Sequence, residues 1–333
     1  MSPDLTTTWL GLKLAHPIMP GASPMVDDLD TVRRLEDAGA PCIVMHSLFE
    51  EQILREQLAA HLHLDAHSES YAEALSYFPD SNAFALGPDA YLEQIRRIRK
   101  ATHIPVIASL NGVTPGGWVE YAGLMAQAGA SAVELNFYAL ASDPDEDAGG
   151  VERRALEVVQ AVRAAVNIPL AVKISPFWTS LPNFARALSR AGADGLVLFN
   201  RFYQPDFDLE NLESSRRLQL SDSRELLLRL HWTGILTARL ATPVACSGGV
   251  HEALDAAKAI AAGAHAVQVV SSLLLHGPSA LAKLRDGLAA WMEEREYASV
   301  AELRGCMNLA RCPDPAAYER GNYIRLLQSW HGG

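Results

Sequence analysis

The sequence predicts an α/β fold, a (β/α)8 TIM barrel formed as a single domain over residues 1–333, with insertions after barrel strands two and six. Two interleaved patterns and one glycine turn carry that expectation. The first pattern is a helix end, then Ala-Gly-Ala, then an apolar run: DAGAPCIVM (37–45), QAGASAVELN (127–136), RAGADGLVLFN (190–200) and AAGAHAVQVVS (261–271). Glycine stops the helix as a C-cap, and the run that follows reads as a buried parallel strand. The second pattern opens on proline: HPIMPGA (16–22), IPVIASL (104–110), IPLAVKIS (168–175) and TPVACSG (242–248). The two patterns alternate and together give eight strands separated by helical sequence, which is the βα repeat of a closed barrel.

The third observation lies between Thr242 and Ser272. A short strand leads into Ser247-Gly248-Gly249, an alanine-rich helix follows, and a second strand is expected to end on Ser271 and Ser272. Two glycines let backbone N–H groups approach an anion, the helix N-terminus adds positive potential, and the serines bring hydroxyls to the same rim. That is the build of a phosphate site after the last two strands of a barrel. A simple tight turn is the plain alternative.

The helices between the strands show one apolar face. Asp89 to Thr102 places Leu92, Ile95 and Ile98 together, and Val151 to Val166 does so with Leu156, Val159 and Val162. Residues 47–87 and 201–221 are too long for plain βα loops and follow strands, so they are expected as lid or wall elements at the C-terminal face. Residues 286–330 read as helices closing the outside of the barrel.

Composition bounds the function. Apolar residues at 49% and charged residues at 20% suit a globular core, and a net charge of −11 argues against nucleic acid as the main partner. The N-terminus lacks a basic and apolar leader pattern, and the most apolar window, Ala256 to Leu275, is broken by Lys258, Gly263, His265 and Gln268. The expectation is a cytoplasmic protein with no membrane contact. Cys42, Cys246, Cys306 and Cys312 have no metal-ligand spacing, and His61, His63 and His67 read as solvated loop residues, so no metal is expected.

Lys173 is the most informative residue. It is one of five lysines and interrupts a buried run near the end of strand five. A lysine there is costly to desolvate unless it snorkels to the rim or meets a polar or anionic ligand. It can serve as a Schiff-base lysine or as a cation beside an electron-rich cofactor. Asn136 and Asn200 end strands four and six, and Asn111 follows strand three. Each alone fits a turn; three on one rim present donors and acceptors to a heteroaromatic ring.

These residues make the chain resemble the dihydroorotate dehydrogenases, FMN-dependent barrels. The resemblance spans almost the whole barrel: Gly21-Ala22-Ser23, Glu134-Leu135-Asn136, Val172-Lys173-Ile174-Ser175-Pro176, Asn200, Ser247-Gly248-Gly249, and Val267-Gln268-Val269 to Ser272 with Gly277-Pro278. It implies FMN with its phosphate on Gly248, Gly249, Ser271 and Ser272, and with Ala22, Ser23, Asn111 and Asn136 around the flavin. Lys173 would lie against the ring, and Asn136 and Asn200 would face substrate. It implies conversion of dihydroorotate to orotate in pyrimidine biosynthesis: a base takes the C5 proton while hydride passes from C6 to flavin N5. It also implies a homodimer of the soluble class, without the membrane-docking extension of quinone-linked members.

The chain departs from the family at the base. Phe137-Tyr138-Ala139-Leu140-Ala141 replaces a Ser-Cys-Pro-Asn-like loop, so Ala139 stands where the cysteine or serine base is expected. Met45-His46-Ser47 replaces a family lysine after strand two. A general base contributes about 10²–10⁴-fold; His46, Tyr138 and Ser142 are the candidate replacements. Two other readings stay open: a flavoprotein subunit that serves an electron-transfer partner protein with a changed substrate, and a Schiff-base aldolase using Lys173.

Overall fold

The computed structural model describes residues 2–56, 87–116, 119–215 and 218–329. The chain opens with an antiparallel hairpin, β1 (Thr7–Trp9) and β2 (Leu12–Leu14). The barrel strands one to eight are β3 (Ile18–Pro20), β4 (Ile43–Phe49), β5 (Val106–Asn111), β6 (Ala132–Asn136), β7 (Leu170–Ile174), β8 (Gly195–Leu198), β11 (Val244–Ser247) and β12 (Ala266–Val269). They form one parallel sheet in the order β3-β12-β11-β8-β7-β6-β5-β4. Its ends, β3 and β4, pack side by side without a ladder, so the barrel is nearly closed.

All four glycines of the Ala-Gly-Ala pattern adopt left-handed backbone, with φ of 93° at Gly39, 104° at Gly129, 114° at Gly192 and 116° at Gly263. The alanine after each donates to a helix carbonyl five residues back: Ala40 to Leu35, Ala130 to Met125, Ala193 to Leu188 and Ala264 to Ala259. One C-cap device, used four times, turns helix into strand.

The core has two compartments. Outward-facing strand residues pack under the helices, which include α1 (Leu29–Asp37), α2 (Pro88–Ala101), α3 (Glu120–Gln127), α4 (Ala148–Ala165), α5 (Leu181–Ala191), α6 (Leu226–Thr237) and α7 (Ala253–Ala261). At the barrel floor the inward-facing residues include four alanines, Ala132, Ala171, Ala245 and Ala266, beside Met19, Val44, Ile107 and Val197, and the N-terminal hairpin packs on them with Trp9, Leu10 and Leu14. A Cβ on Gly195 would lie 2.8 Å from Trp9. The hairpin is therefore a plug in the barrel floor, an element the strand patterns do not announce.

Several boundaries differ from expectation. β12 ends at Val269, and Ser271 opens a short helix, α8 (Ser271–His276), instead of ending the strand. β4 runs on to Phe49, past the expected start of the first insertion, and residues 57–86 of that insertion, with His61, His63 and His67, lie outside the described residues. The stretch 201–221 carries a hairpin, β9 (Asp206–Asp208) and β10 (Glu213–Ser215). The closing helices begin earlier than 286, with α9 (Ser279–Glu294), followed by α10 (Val300–Leu303) and α11 (Asn322–Gln328). The four cysteines are free. Among the described residues no helix is long and apolar enough to cross a membrane.

Candidate active site

A cavity of about 520 Å³ opens at the C-terminal ends of the strands. That lies within the span of about 300–1,000 Å³ usual for small-molecule sites. Ala22, Ser23, His46, Asn111, Asn136, Tyr138, Lys173, Asn200, Gly248, Gly249 and Ser271 all line it. Ser272 is buried beside it without lining it, and Ser142 is exposed on the loop after β6. Ala139 is exposed in that loop and does not line the cavity either.

The cavity floor is charged and paired. Lys173 Nζ donates to Gln268 Oε1 at 3.0 Å and lies 3.5 Å from Glu134 Oε1, while Gln268 Nε2 donates to Glu134 Oε2. All three are buried. Strand alternation puts each one inward near its strand's C-terminal end, so the triangle joins β6, β7 and β12. Above it, Asn136 Nδ2 donates to Ser47 Oγ at 3.3 Å, and Ser47 Oγ meets Ser109 Oγ at 2.8 Å. Asn136 Oδ1 is buried with no partner. A buried acceptor left open beside a cavity is a place for a ligand donor.

One end of the cavity gathers open donors, Gly249 and Ser271 among them. The N-terminus of α7 is occupied by its own acid: Asp255 Oδ2 accepts from the backbone N–H of His251 and Glu252, each at 3.1 Å. The Gly248-Gly249 turn remains open. Both glycines have positive φ, 92° and 76°, and the N–H groups of Gly249 and Val250 have no protein acceptor among the described residues. Ser271 Oγ accepts from Ser221 N at 3.1 Å and from Ser221 Oγ at 2.9 Å, which leaves its own proton to donate elsewhere. Arg229 lies under the turn, 5% exposed, donating to the carbonyls of Ser247 and Glu225 and paired with no carboxylate among the described residues. Its burial without a counter-ion favours an anion in the turn.

His46 reaches the cavity through a β-bulge. Between Val44 and Ser47 the β4–β5 register shifts by one residue, so that His46 and Ser47, adjacent in sequence, both line the cavity. The hydroxyl of buried Tyr91 donates to the His46 carbonyl at 2.9 Å and accepts from Ser109 N at 2.9 Å, which satisfies backbone groups the bulge displaces. His46 Nδ1 lies 2.5 Å from Asp27 Oδ1. Burial holds the His46 imidazole below its ordinary pKa, while the Asp27 carboxylate pulls the other way.

Sequence reading missed Glu134 and Gln268 as partners of Lys173, and it missed Asp27, Ser221 and Arg229. Arg229 carries the one signal that was available, a charge inside the apolar run LLLRLHW. Among the described residues no group of three or more His, Cys, Asp or Glu side chains is placed to hold a metal.

Comparison with known proteins adds the family. The family described as "Dihydroorotate dehydrogenase" matches residues 83–292. A dihydroorotate dehydrogenase B (NAD(+)) catalytic subunit of Trichlorobacter lovleyi is 31% identical over 237 residues, covering 67% of this chain and 74% of the relative. The protein of the same description from Endomicrobium trichonymphae is 25% identical over 331 residues, 93% of this chain and 99% of the relative. A putative dihydroorotate dehydrogenase A (fumarate) of Aeropyrum pernix is 29% identical over 235 residues, 67% and 75% of the two chains. The chain belongs to the dihydroorotate dehydrogenase family and is an oxidoreductase of that kind.

Proposed function

We propose that this member of the dihydroorotate dehydrogenase family is an FMN-dependent oxidoreductase acting on a CH–CH bond of a cyclic amide of the dihydroorotate type, with an altered proton acceptor. The observation that carries the reading is one cavity with an anion turn at one end and an open acceptor, Asn136 Oδ1, over the Lys173–Gln268 floor. These features suit a flavin phosphate and a flavin ring respectively.

In this reading Gly249, Val250 and Ser271 take the phosphate, with Arg229 supplying charge beneath the turn. Lys173 presents its cation to the ring and remains held by Glu134 and Gln268, so no reorganisation is needed when charge develops. FMN, when bound, supplies the two-electron acceptor. Asn136, Asn111 and Asn200 line the cavity wall as amides able to orient substrate; Asn200 is itself oriented by donating to the Phe137 carbonyl at 2.7 Å. The proton acceptor is then His46 or Tyr138, since Ala139 carries no base. A homodimer in a reducing cytoplasm completes the reading, in keeping with four free cysteines.

The test is the visible spectrum of the purified protein under anaerobic conditions, before and after dihydroorotate. A flavin band that bleaches supports dihydroorotate as substrate, and one that stays supports the cofactor with a changed substrate. No flavin band after reconstitution with FMN would sink the assignment and favour an aldolase using Lys173, which borohydride trapping of a carbonyl compound on that lysine would detect.

A second reading is favoured by the rim. Phe177, Phe207 and Leu212 are 67%, 70% and 86% exposed on the segments that follow barrel strands five and six. Two of the relatives described are named catalytic subunits. An electron-transfer partner protein that covers these side chains fits both facts; co-purification with a redox protein tests it.

A further inference from the structure

We infer that His46, held by Asp27, is the group that takes the proton from the substrate. The inference rests on the proposed FMN-dependent function and assigns the acid–base role that Ala139 leaves open.

The geometry has the parts a histidine base needs. Asp27 Oδ1 lies 2.5 Å from Nδ1, out of line for a hydrogen bond and with no other partner for either buried atom, so a small turn of the ring satisfies both with the proton on Nδ1 and leaves the Nε2 lone pair available. Nε2 has no hydrogen-bond partner among the described residues, and the ring lines the cavity. The ring is fixed from three directions: the bulge in β4, the Asp27 carboxylate on the turn after β3, and the edge-on ring of Tyr91 at 5.0 Å. Asp27 is fixed in turn, its carbonyl accepting from buried Gln94 Nε2 at 3.1 Å. The titratable groups against His46 are Asp27 and Tyr91; Lys173 and Glu134 neutralise each other deeper in the barrel. Burial lowers the imidazole pKa against the pull of Asp27, which favours the neutral form a base requires.

The rival candidates lack these features. Tyr138 turns its hydroxyl to accept from the backbone N–H of Tyr203 at 3.2 Å and stacks on Phe202 at the rim. Ser142 is exposed and outside the cavity.

The step balances as follows. Nε2 accepts a proton from the substrate carbon next to a carbonyl, and the C–H electron pair becomes the second bond of a new C=C. FMN, when bound, would accept hydride from the neighbouring carbon, so that the substrate would lose two electrons and two hydrogens. His46 is thus a catalytic residue and Asp27 a positioning residue.

The experiment uses FMN-loaded protein, dihydroorotate as the probe, and the variants His46→Gln, Asp27→Asn and Asp27→Glu. FMN affinity, read by flavin fluorescence, is expected to change less than about threefold in all of them; an FMN that fails to bind even the unaltered protein defeats the underlying functional reading instead. Anaerobic flavin bleaching is expected to slow by about 10²–10⁴-fold in His46→Gln at every pH. Asp27→Asn is expected to shift the acid limb of the pH profile to lower pH and cut the plateau about tenfold or more, with Asp27→Glu recovering part of it. A readout independent of turnover is ¹⁵N NMR of histidine-labelled protein. It is expected to show His46 protonated on Nδ1, and Asp27→Asn to erase that preference. Bleaching retained by His46→Gln, a flavin that dihydroorotate leaves oxidised at all pH values, or an Nε2-protonated His46 overturns the inference.

Discussion

Lys173 and Gln268 meet at 3.0 Å across the barrel mouth, one on the fifth barrel strand and the other on the eighth. Together with Glu134 they close a buried triangle in which each charge has an opposite partner and the amide bridges both. The site floor is thereby rigid before any ligand arrives.

Removing one corner of that triangle strands a charge. Lys173→Met leaves the Glu134 carboxylate, 1% exposed, with only the Gln268 amide. We expect a loss of about 3–5 kcal/mol, the usual cost of breaking a buried pair. Adding Glu134→Gln to Lys173→Met is expected to restore most of it. Urea unfolding of the single and double variants checks this, and a double variant as unstable as the single one refutes it.

The phosphate site proposed at the Gly248-Gly249 turn predicts a phosphate-specific defect. A Cβ on Gly249 would lie 2.5 Å from the backbone N of Leu226, at a φ of 76° that disfavours side chains. Gly249→Ala is therefore expected to distort the turn. FMN should bind the unaltered protein at least tenfold more tightly than riboflavin, and the variant should lose most of that difference. Fluorescence titration with both ligands measures it; equal affinity in the unaltered protein counts against the turn as the phosphate site.

The floor plug predicts an overpacking penalty. Gly195→Ala puts a methyl 2.8 Å from both Trp9 and Leu10 and is expected to cost about 1–3 kcal/mol. Trp9→Ala empties the barrel floor and is expected to cost about 3–5 kcal/mol. The double variant should be more stable than the sum of the two losses implies. Additivity in thermal unfolding would show that the contact is not shared.

His265 predicts a stability that falls with acid. Burial, aided by the nearby Arg304 cation, lowers its pKa from the ordinary histidine value of about 6.5 to about 4. The unfolded chain then binds the proton that the folded one refuses. Stability is complete above about pH 6.5 and declines toward pH 4, by at most about 3 kcal/mol. His265→Gln is expected to flatten that part of the curve; an unchanged slope in urea midpoints between pH 7 and 4 rules the cause out.

Much of the fold was legible in the chain because it is encoded by local devices. Four Ala-Gly-Ala caps, four proline-led strands and the Gly248-Gly249 turn each act within a few residues, so their meaning survives without a partner. The same locality let Lys173, Asn136 and Asn200 be read as rim residues from strand position alone. Other features had no local signal. Trp9 as a plug beneath Gly195, Asp255 claiming the α7 N-terminus, and Ser271 opening a helix depend on what packs nearby.

By itself, then, the sequence determined a barrel of eight strands, the mouth at which its polar residues gather, and the absence of a cysteine or serine at position 139. Tertiary structure alone decided the pairings: Lys173 with Glu134 and Gln268, 39 and 95 residues away, and His46 with Asp27. Those pairings follow from strand register, from the twist that brings distant strands to one axis, and from the single extra residue in β4 that turns His46 toward the cavity. Periodicity tells which way a side chain faces; barrel closure decides what it meets there.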